Sequence, residues 1–230
     1  MVGAVAALLP VGSASGNGRF PTTTSVRFHP SDSDIRIVAT TFGLLLTGDG
    51  GASHHWVCES AVGYAGTFDP DYAVAADGSI FATTFDGLRV TRDGGCTWEL
   101  TGSPIDGLFP GAIEIASNGY VWAVATKFGT NGVFFSDDNG LSFNKTSLER
   151  AGAWWHALAI APGDSDRIFV SGFVVPGCVP DGGSGQPPAL LFRSDNGGTD
   201  WTELPVSDFQ FAEEPLLFVE AVSATDPDLV

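Results

Sequence analysis

The chain has 230 residues, of which 43% are apolar and 16% charged; 27 acidic against 10 basic side chains give a net charge of -17. That is ample material for one large domain or two small ones and little for a disordered tail. The acidic balance argues against a nucleic-acid partner, which needs a basic patch, and against docking on an anionic membrane. With 30 Gly and 14 Pro, the composition reads as many short strands joined by tight turns.

Residues 1–16 carry a short apolar run and then small residues. The run is too short to span a bilayer, and nothing later in the chain looks transmembrane, so no membrane insertion is expected. Its layout is that of a secretory leader over 1–18, with Gly12 and Ala14 at the −3 and −1 positions, although no Lys or Arg precedes it. A leader and a plain apolar N-terminus are both open. From residue 19 the chain divides into units of about 45 residues. The first, over 22–60, holds TTSVRFHP, IRIVATTF, LLLTGD and WVCES. The second, over 69–103, holds DYAVAAD, SIFATTFDG, LRVTRD and WELTG. The third, over 110–148, holds AIEIASN, YVWAVATKF, VFFSDD and FNKTS, and the fourth, over 153–207, holds WWHALAIAP, RIFVSGFVV, ALLFRSD and WTELPV. Residues 215–230 repeat the opening strand and turn of such a unit. Alternation within the strands is weak, as expected where sheets pack on both faces.

One segment recurs at the end of each third strand: TGDGGASHHW (47–56), TRDGGCTW (91–98), SDDNGLSF (136–143) and SDNGGTDW (194–201). Asp49, Asp93, Asp138 and Asn196 are spaced by 44, 45 and 58 residues. An Asp side chain here can accept N–H bonds across a turn, and Gly51, Gly95, Gly140 and Gly198 can supply a positive φ. The aromatics Trp98, Phe143 and Trp201 are expected to pack down between strands. The pattern ends in Thr or Ser followed by Trp or Phe; the first copy ends Ser53-His54 and reaches Trp56 two residues late, and the fourth has Asn196 at the Asp position and Asp200 at the Thr position.

These segments resemble the Asp-box, or BNR repeat, of the sialidase-like β-propellers. The resemblance implies an all-β fold: a β-propeller of four-stranded antiparallel blades, four complete and a fifth begun, as a fragment of a six- or seven-bladed ring. An incomplete ring would expose a strand edge and an apolar face, so self-association is expected of it. The resemblance also implies that the box turns share one face. The blade-to-blade loops and the links from second to third strands then share the other, where the family's ligands bind. On that face Tyr64, Phe68, Tyr72, Trp154 and Trp155 could stack on sugars, and Asp69, Asp71, Asp86, Glu149, Asp208, Glu213 and Glu214 could accept hydroxyls or form an acid/base pair. The alternative is that the aromatics pack between blades and the carboxylates are solvated loop charge. His156, directly after the Trp pair, is also a candidate for that face, although a lone His is more often a structural hydrogen-bonder. Arg27 and Glu114, at similar parity in first strands, could form a structural ion pair between blades.

Sialidases use three arginines, a Tyr–Glu nucleophile pair and an Asp acid. Gly18-Arg19-Phe20-Pro21 resembles the motif carrying the first arginine, but no Tyr follows Tyr120, and Arg193 lies beside a box. The related xyloglucan-cleaving enzymes need opposed Asp residues from two propellers. The catalytic set is therefore not carried over. Neither a cofactor motif nor a metal-binding spacing is present, so no cofactor or metal is expected. Cys58, Cys96 and Cys178 leave a Cys58–Cys96 disulfide and buried free thiols both open. The expectation is a non-catalytic propeller, secreted, periplasmic or at the cell surface, that binds a protein or a carbohydrate through its loop face. The alternative is a sialidase-like or endoglucanase-like glycoside hydrolase whose catalytic residues lie partly outside this chain. A third reading, an assembly factor like the Asp-box proteins of photosystem assembly, suits a basic patch better than this acidic chain.

Overall fold

The computed structural model describes residues 18–127, 130–175, 189–206 and 216–230. Cys178, Asp208, Glu213, Glu214 and all but the last residue of the proposed leader lie outside them. The chain is all-β, built as four antiparallel four-stranded blades. Blade one is β1 (Thr23–Phe28), β2 (Arg36–Thr40), β3 (Gly43–Thr47) and β4 (His55–Val57), followed by a single helical turn, α1 (Glu59–Val62). Blade two is β5 (Tyr72–Val74), β6 (Ile80–Thr84), β7 (Gly87–Thr91) and β8 (Glu99–Leu100). Blade three is β9 (Phe109–Ile115), β10 (Val121–Lys127), β11 (Thr130–Ser136) and β12 (Asn144–Lys145). Blade four is β13 (Ala153–Ala161), β14 (Asp164–Val174), β15 (Ala189–Ser194) and β16 (Thr202–Glu203). Each blade is a meander in which consecutive strands pair.

The core lies between blades rather than within one. Strand alternation sorts the two parities of a strand onto two different interfaces. In blade two, Tyr72, Val74, Ile80 and Ala82 pack with Ile37, Leu44 and Val57 of blade one. The intervening residues Ala73 and Phe81 pack with Ile113, Val121 and Phe134 of blade three. Blade three repeats the division, with Trp122, Val124 and Val133 turned to Trp155, Leu158, Val170 and Leu190 of blade four. Both parities are therefore apolar, which is why β6 is buried at every residue and alternation is faint in the sequence. Residues 216–230 pair with no strand among the described residues; Val219 and Val222 instead cover Ala157, Ala159 and Phe169 of blade four.

The recurring turns join the third and fourth strands of every blade and share one internal lock. In the third, the Ser136 hydroxyl donates to Asp138 Oδ1 (2.7 Å) and accepts from the Gly140 N–H (2.7 Å). Asp138 then accepts from the Ser142 N–H (2.9 Å) and the Ser142 hydroxyl (2.6 Å). Asp93 with Thr91 and Thr97, and Asp49 with Thr47 and Ser53, repeat the pattern. These bonds favour the ionised form and hold Asp93 and Asp138 down to about 2, and Asp49 lower still. The first copy is thus a complete lock despite its late tryptophan. In the fourth, donor and acceptor are exchanged: the Asn196 amide donates to Asp200 Oδ2 (2.9 Å), while its Oδ1 accepts from the Asp200 N–H (2.8 Å). Of the aromatics, Phe143 is buried, Trp98 and Trp201 are half-buried on the inter-blade cores, and Trp56 is exposed, with its Nε1 on the Phe42 carbonyl (3.0 Å).

The turn glycines also set the spacing between blades. Gly140 has φ +76°, and a Cβ there would strike the Phe81 ring of blade two; at Gly51, φ +94°, a Cβ would make only ordinary contacts, with the His54 ring at 3.9 Å and Arg36 Nη1 at 4.0 Å. Gly140→Ala should therefore cost about 3 kcal/mol, from backbone strain plus overpacking, and Gly51→Ala about 1 kcal/mol, from backbone strain alone. Urea unfolding of both variants reads the difference. The exchanged lock yields a second expectation. Asn196→Asp sets two carboxylates in contact and should cost about 1 kcal/mol; adding Asp200→Thr should recover most of it.

Candidate functional site

The first strands of the blades stand side by side, and their exposed edges are stitched by side chains from the neighbouring blade. Arg27 on β1 donates through Nε to the Tyr72 carbonyl (3.0 Å) and through Nη2 to Asp71 Oδ1 (2.9 Å). Asp71 also accepts from the Tyr72 N–H (2.9 Å) and, through Oδ2, from the Ile113 N–H of β9 (3.1 Å), so one carboxylate joins three blades. Glu114 on β9 accepts from the Ile160 N–H of β13 (3.0 Å), and the Ser171 hydroxyl accepts from the Val219 N–H (3.1 Å). The expected Arg27–Glu114 ion pair is replaced by Arg27–Asp71, because blade two stands between β1 and β9. These strands wall a cavity of about 660 Å³ that extends to the turn face at Asp77 and Asn139. Burial pushes Glu114 up to about 7, against the opposing pull of the Ile160 N–H and Arg27.

The loop face carries a different surface. Phe68, from the loop after α1, meets Phe85 at 4.4 Å between ring centroids. Phe85 meets Phe109 at 6.2 Å, and Phe109 stacks on Trp154 at 6.1 Å. The row therefore runs from blade two to blade four. Phe85 is 55% exposed at the tip of the β6–β7 hairpin, which Thr84 closes by donating to the Gly87 carbonyl (2.8 Å). Phe68, Phe109 and Trp154 are half-buried.

The residues singled out for the ligand face separate in the structure. Tyr64, Tyr72 and Trp155 are buried between blades, where they pack on neighbouring side chains. Burial pushes the Tyr64 phenol up to about 12 and that of Tyr72 above the ordinary range. Trp155 Nε1 donates to Asn131 Oδ1 (3.0 Å). Trp154 stands in the aromatic row. Among the described residues each of these carboxylates has a cationic neighbour: Asp69 takes a two-pronged Arg19 at 2.7 Å for each bond, Asp71 takes Arg27, Glu149 takes Lys145 (3.1 Å), and Asp86 lies 3.9 Å from Arg89. His156 sits with Nε2 on the Leu217 carbonyl (2.8 Å) and its ring 4.1 Å from that of Phe218; burial pushes its pKa down. Cys58 and Cys96 are free thiols, one following β4 on the loop side and the other in the turn at the opposite end of blade two. Among the described residues no cluster of His, Cys, Asp or Glu is arranged to hold a metal, and no helix is long and apolar enough to cross a membrane.

Sequence reasoning missed Phe85, Phe109 and the cavity. Phe85 had a signal: it occupies the tip of a Thr-Thr-Phe-x-Gly hairpin, where a side chain has no neighbouring strand to bury it. The cavity had none, since it forms where strands from different blades converge.

No protein-family model and no curated protein sequence matches the chain. Its fold is similar to that of the GH74 xyloglucanase from Xanthomonas campestris, with a TM-score of 0.59 and 19% identity over 79% of this chain and 29% of that one. An ancestral GH74 enzyme gives a TM-score of 0.54 and 18% identity over 79% of this chain and 25% of that one. YCF48 bound to a D1 peptide gives 0.50 and 16% over 83% of this chain and 55% of that one. The chain thus spans less than a third of the GH74 enzymes it is similar to and about half of YCF48. At these identities the likeness is one of fold, a β-propeller of antiparallel blades.

Glu114 makes a testable demand on stability. Its folded pKa of about 7 lies above the ordinary 4.5, so the folded state keeps a proton that the unfolded chain releases between those values. Its contribution to stability is full below about pH 4.5 and falls as pH rises to about 7. Glu114→Gln keeps an acceptor for Ile160 and removes that fall. The variant should match the parent near pH 4 and exceed it near pH 8 by on the order of 1 kcal/mol, read from thermal unfolding at both pH values.

Proposed function

We propose that this chain is an Asp-box β-propeller, exported from the cell, that binds a glycan or protein ligand along its loop face without hydrolysing it. The observation that carries this reading is the aromatic row from Phe68 through Phe85 and Phe109 to Trp154, an apolar strip crossing three blades on one face. Rigid aromatic surface on a fixed scaffold contributes contact area at low entropic cost. The four turn locks support the Asp-box assignment, since each joins third and fourth strands with an Asp or Asn at its centre. The non-catalytic reading is supported by the ion pairs: of the described loop carboxylates, Asp69 and Glu149 are engaged by Arg19 and Lys145, and Asp86 has Arg89 beside it. Arg19, bound to Asp69 through both terminal nitrogens, is likewise engaged rather than presented to a substrate carboxylate.

A second reading, glycoside hydrolysis with part of the catalytic set outside this chain, draws on the fold shared with GH74 enzymes. The two separate experimentally. Glycan and peptide libraries are screened for binding, and xyloglucan and sialosides are assayed for product release. The proposal expects a ligand whose affinity drops about tenfold, roughly 1.4 kcal/mol, with Phe85→Ala or Trp154→Ala, while the unfolding midpoint moves by only a few degrees. Sustained release of sugar by the parent chain would overturn the non-catalytic reading, and unchanged affinity in both variants would remove the loop face from it.

A further inference from the structure

We propose that the cavity between the first strands is a second binding site, for a ligand carrying an ammonium group on an apolar body. The inference is independent of the loop-face reading, because the two surfaces share no residue named for ligand contact. Register places Arg27, Ala73 and Glu114 at the same position of successive first strands, opposite Ile37, Phe81 and Trp122 of the second strands. A guanidinium and a carboxylate therefore flank a gap whose middle blade offers only a methyl group, and all three residues line the cavity of about 660 Å³. The volume falls within the range of small-molecule sites, and its walls combine polar groups with apolar side chains, as a ligand with a charged head and an apolar body requires.

The charges decide which ligand fits. Arg27 is committed to Asp71 and to the Tyr72 carbonyl. Asp77 is held by the Ser79 N–H (2.9 Å) and by the Asn139 amide (2.5 Å), and Asp138 is spent in its own turn. Glu114 accepts one backbone N–H, and among the described residues no cation stands within ion-pair distance of it. Asp137 and Glu220, on the rim, add negative potential that concentrates cations at the mouth. Phe28, Ile115 and Leu158 form the apolar wall beside it. An ammonium would pair with Glu114 and leave its hydrocarbon against that wall. The groups facing Glu114 are thus Arg27 on β1, Asp71 ahead of β5, and the acids at the rim, and an arriving cation supplies the counter-charge that this arrangement lacks.

The test uses the whole chain, isotope-labelled, titrated with phenethylamine and separately with its neutral analogue 2-phenylethanol, following the amide signals of Ala73, Glu114 and Ile115. The amine should give saturable shifts near pH 8 and bind about tenfold more weakly near pH 5, where Glu114 is protonated. Glu114→Gln should weaken the amine by about tenfold near pH 8, whereas Trp154→Ala should leave it unchanged. The alcohol should not saturate. Equal binding of amine and alcohol, or an amine affinity unmoved by Glu114→Gln in a variant whose spectrum shows it folded, would overturn the proposal. Loss of amine binding in Trp154→Ala would overturn its independence from the loop face.

Discussion

A four-stranded blade has an inner edge that no fifth strand covers, and the backbone groups along that edge need partners other than a ladder. Here the partners are side chains of the adjacent blade. Asp71 is the central case: it binds Arg27 of blade one, the N–H of Tyr72 in its own blade, and the N–H of Ile113 in blade three. Glu114 and Ser171 extend the same device to Ile160 and Val219. Because the bonds of Arg27 to Asp71, of Asp71 to Ile113 and of Glu114 to Ile160 cross blade boundaries, the rotation of one blade against the next is fixed at the inner edge, and the apolar faces meet in a single register.

The opposite constraint acts at the outer ends of the strands. There the turn locks hold each third-to-fourth connection rigid, and the turn seats itself on the preceding blade: Gly95 on Val57 and Leu46, Gly140 on Phe81, and Gly198 on Trp122. Arg92 ties the third turn across the boundary by donating to the Asn139 carbonyl (2.9 Å). The chemistry of the lock tolerates exchange of its ends, as Asn196 with Asp200 shows, because what it requires is one donor and one acceptor at a fixed separation. A carboxylate at its centre is one solution of two present in this chain.

The charge of the chain is distributed by the same logic. With 10 basic residues against 27 acidic ones, most carboxylates cannot have a cation. The turn aspartates are satisfied instead by hydroxyl and N–H donors a few residues away, which releases arginines for the boundaries. Arg27 and Arg19 hold blade edges and the loop after α1, while Arg167 and Arg193 share Asp195 and Asp228 and so clamp residues near the end of the described chain onto blade four. The loop face is left with aromatic surface and paired charge. The inner cavity is left with Glu114, whose burial is offset by one N–H and by distant Arg27.

Local sequence determined what depends on residues close together in the chain. The turns were legible from Asp93, Gly95 and Thr97 or Asp138, Gly140 and Ser142, because a lock spanning a few residues writes both partners into one short segment. Their spacing set a unit of about 45 residues, and their resemblance to the Asp-box implied a four-stranded antiparallel blade for each unit. Tertiary structure alone decided which side chains meet across blades. For Tyr64, Tyr72 and Trp155 the sequence left ligand stacking and packing between blades both open; they are buried, and for Tyr72 and Trp155 the reason is that a first strand has a blade on either side. Arg27 and Glu114 matched in parity, yet Asp71 takes the arginine, because parity along a strand says nothing of which blade stands between two charges. The aromatic row and the cavity joined residues tens of positions apart, from Arg27 to Leu158, and the angle between blades that brings them together is set by packing of whole sheets rather than by any one segment.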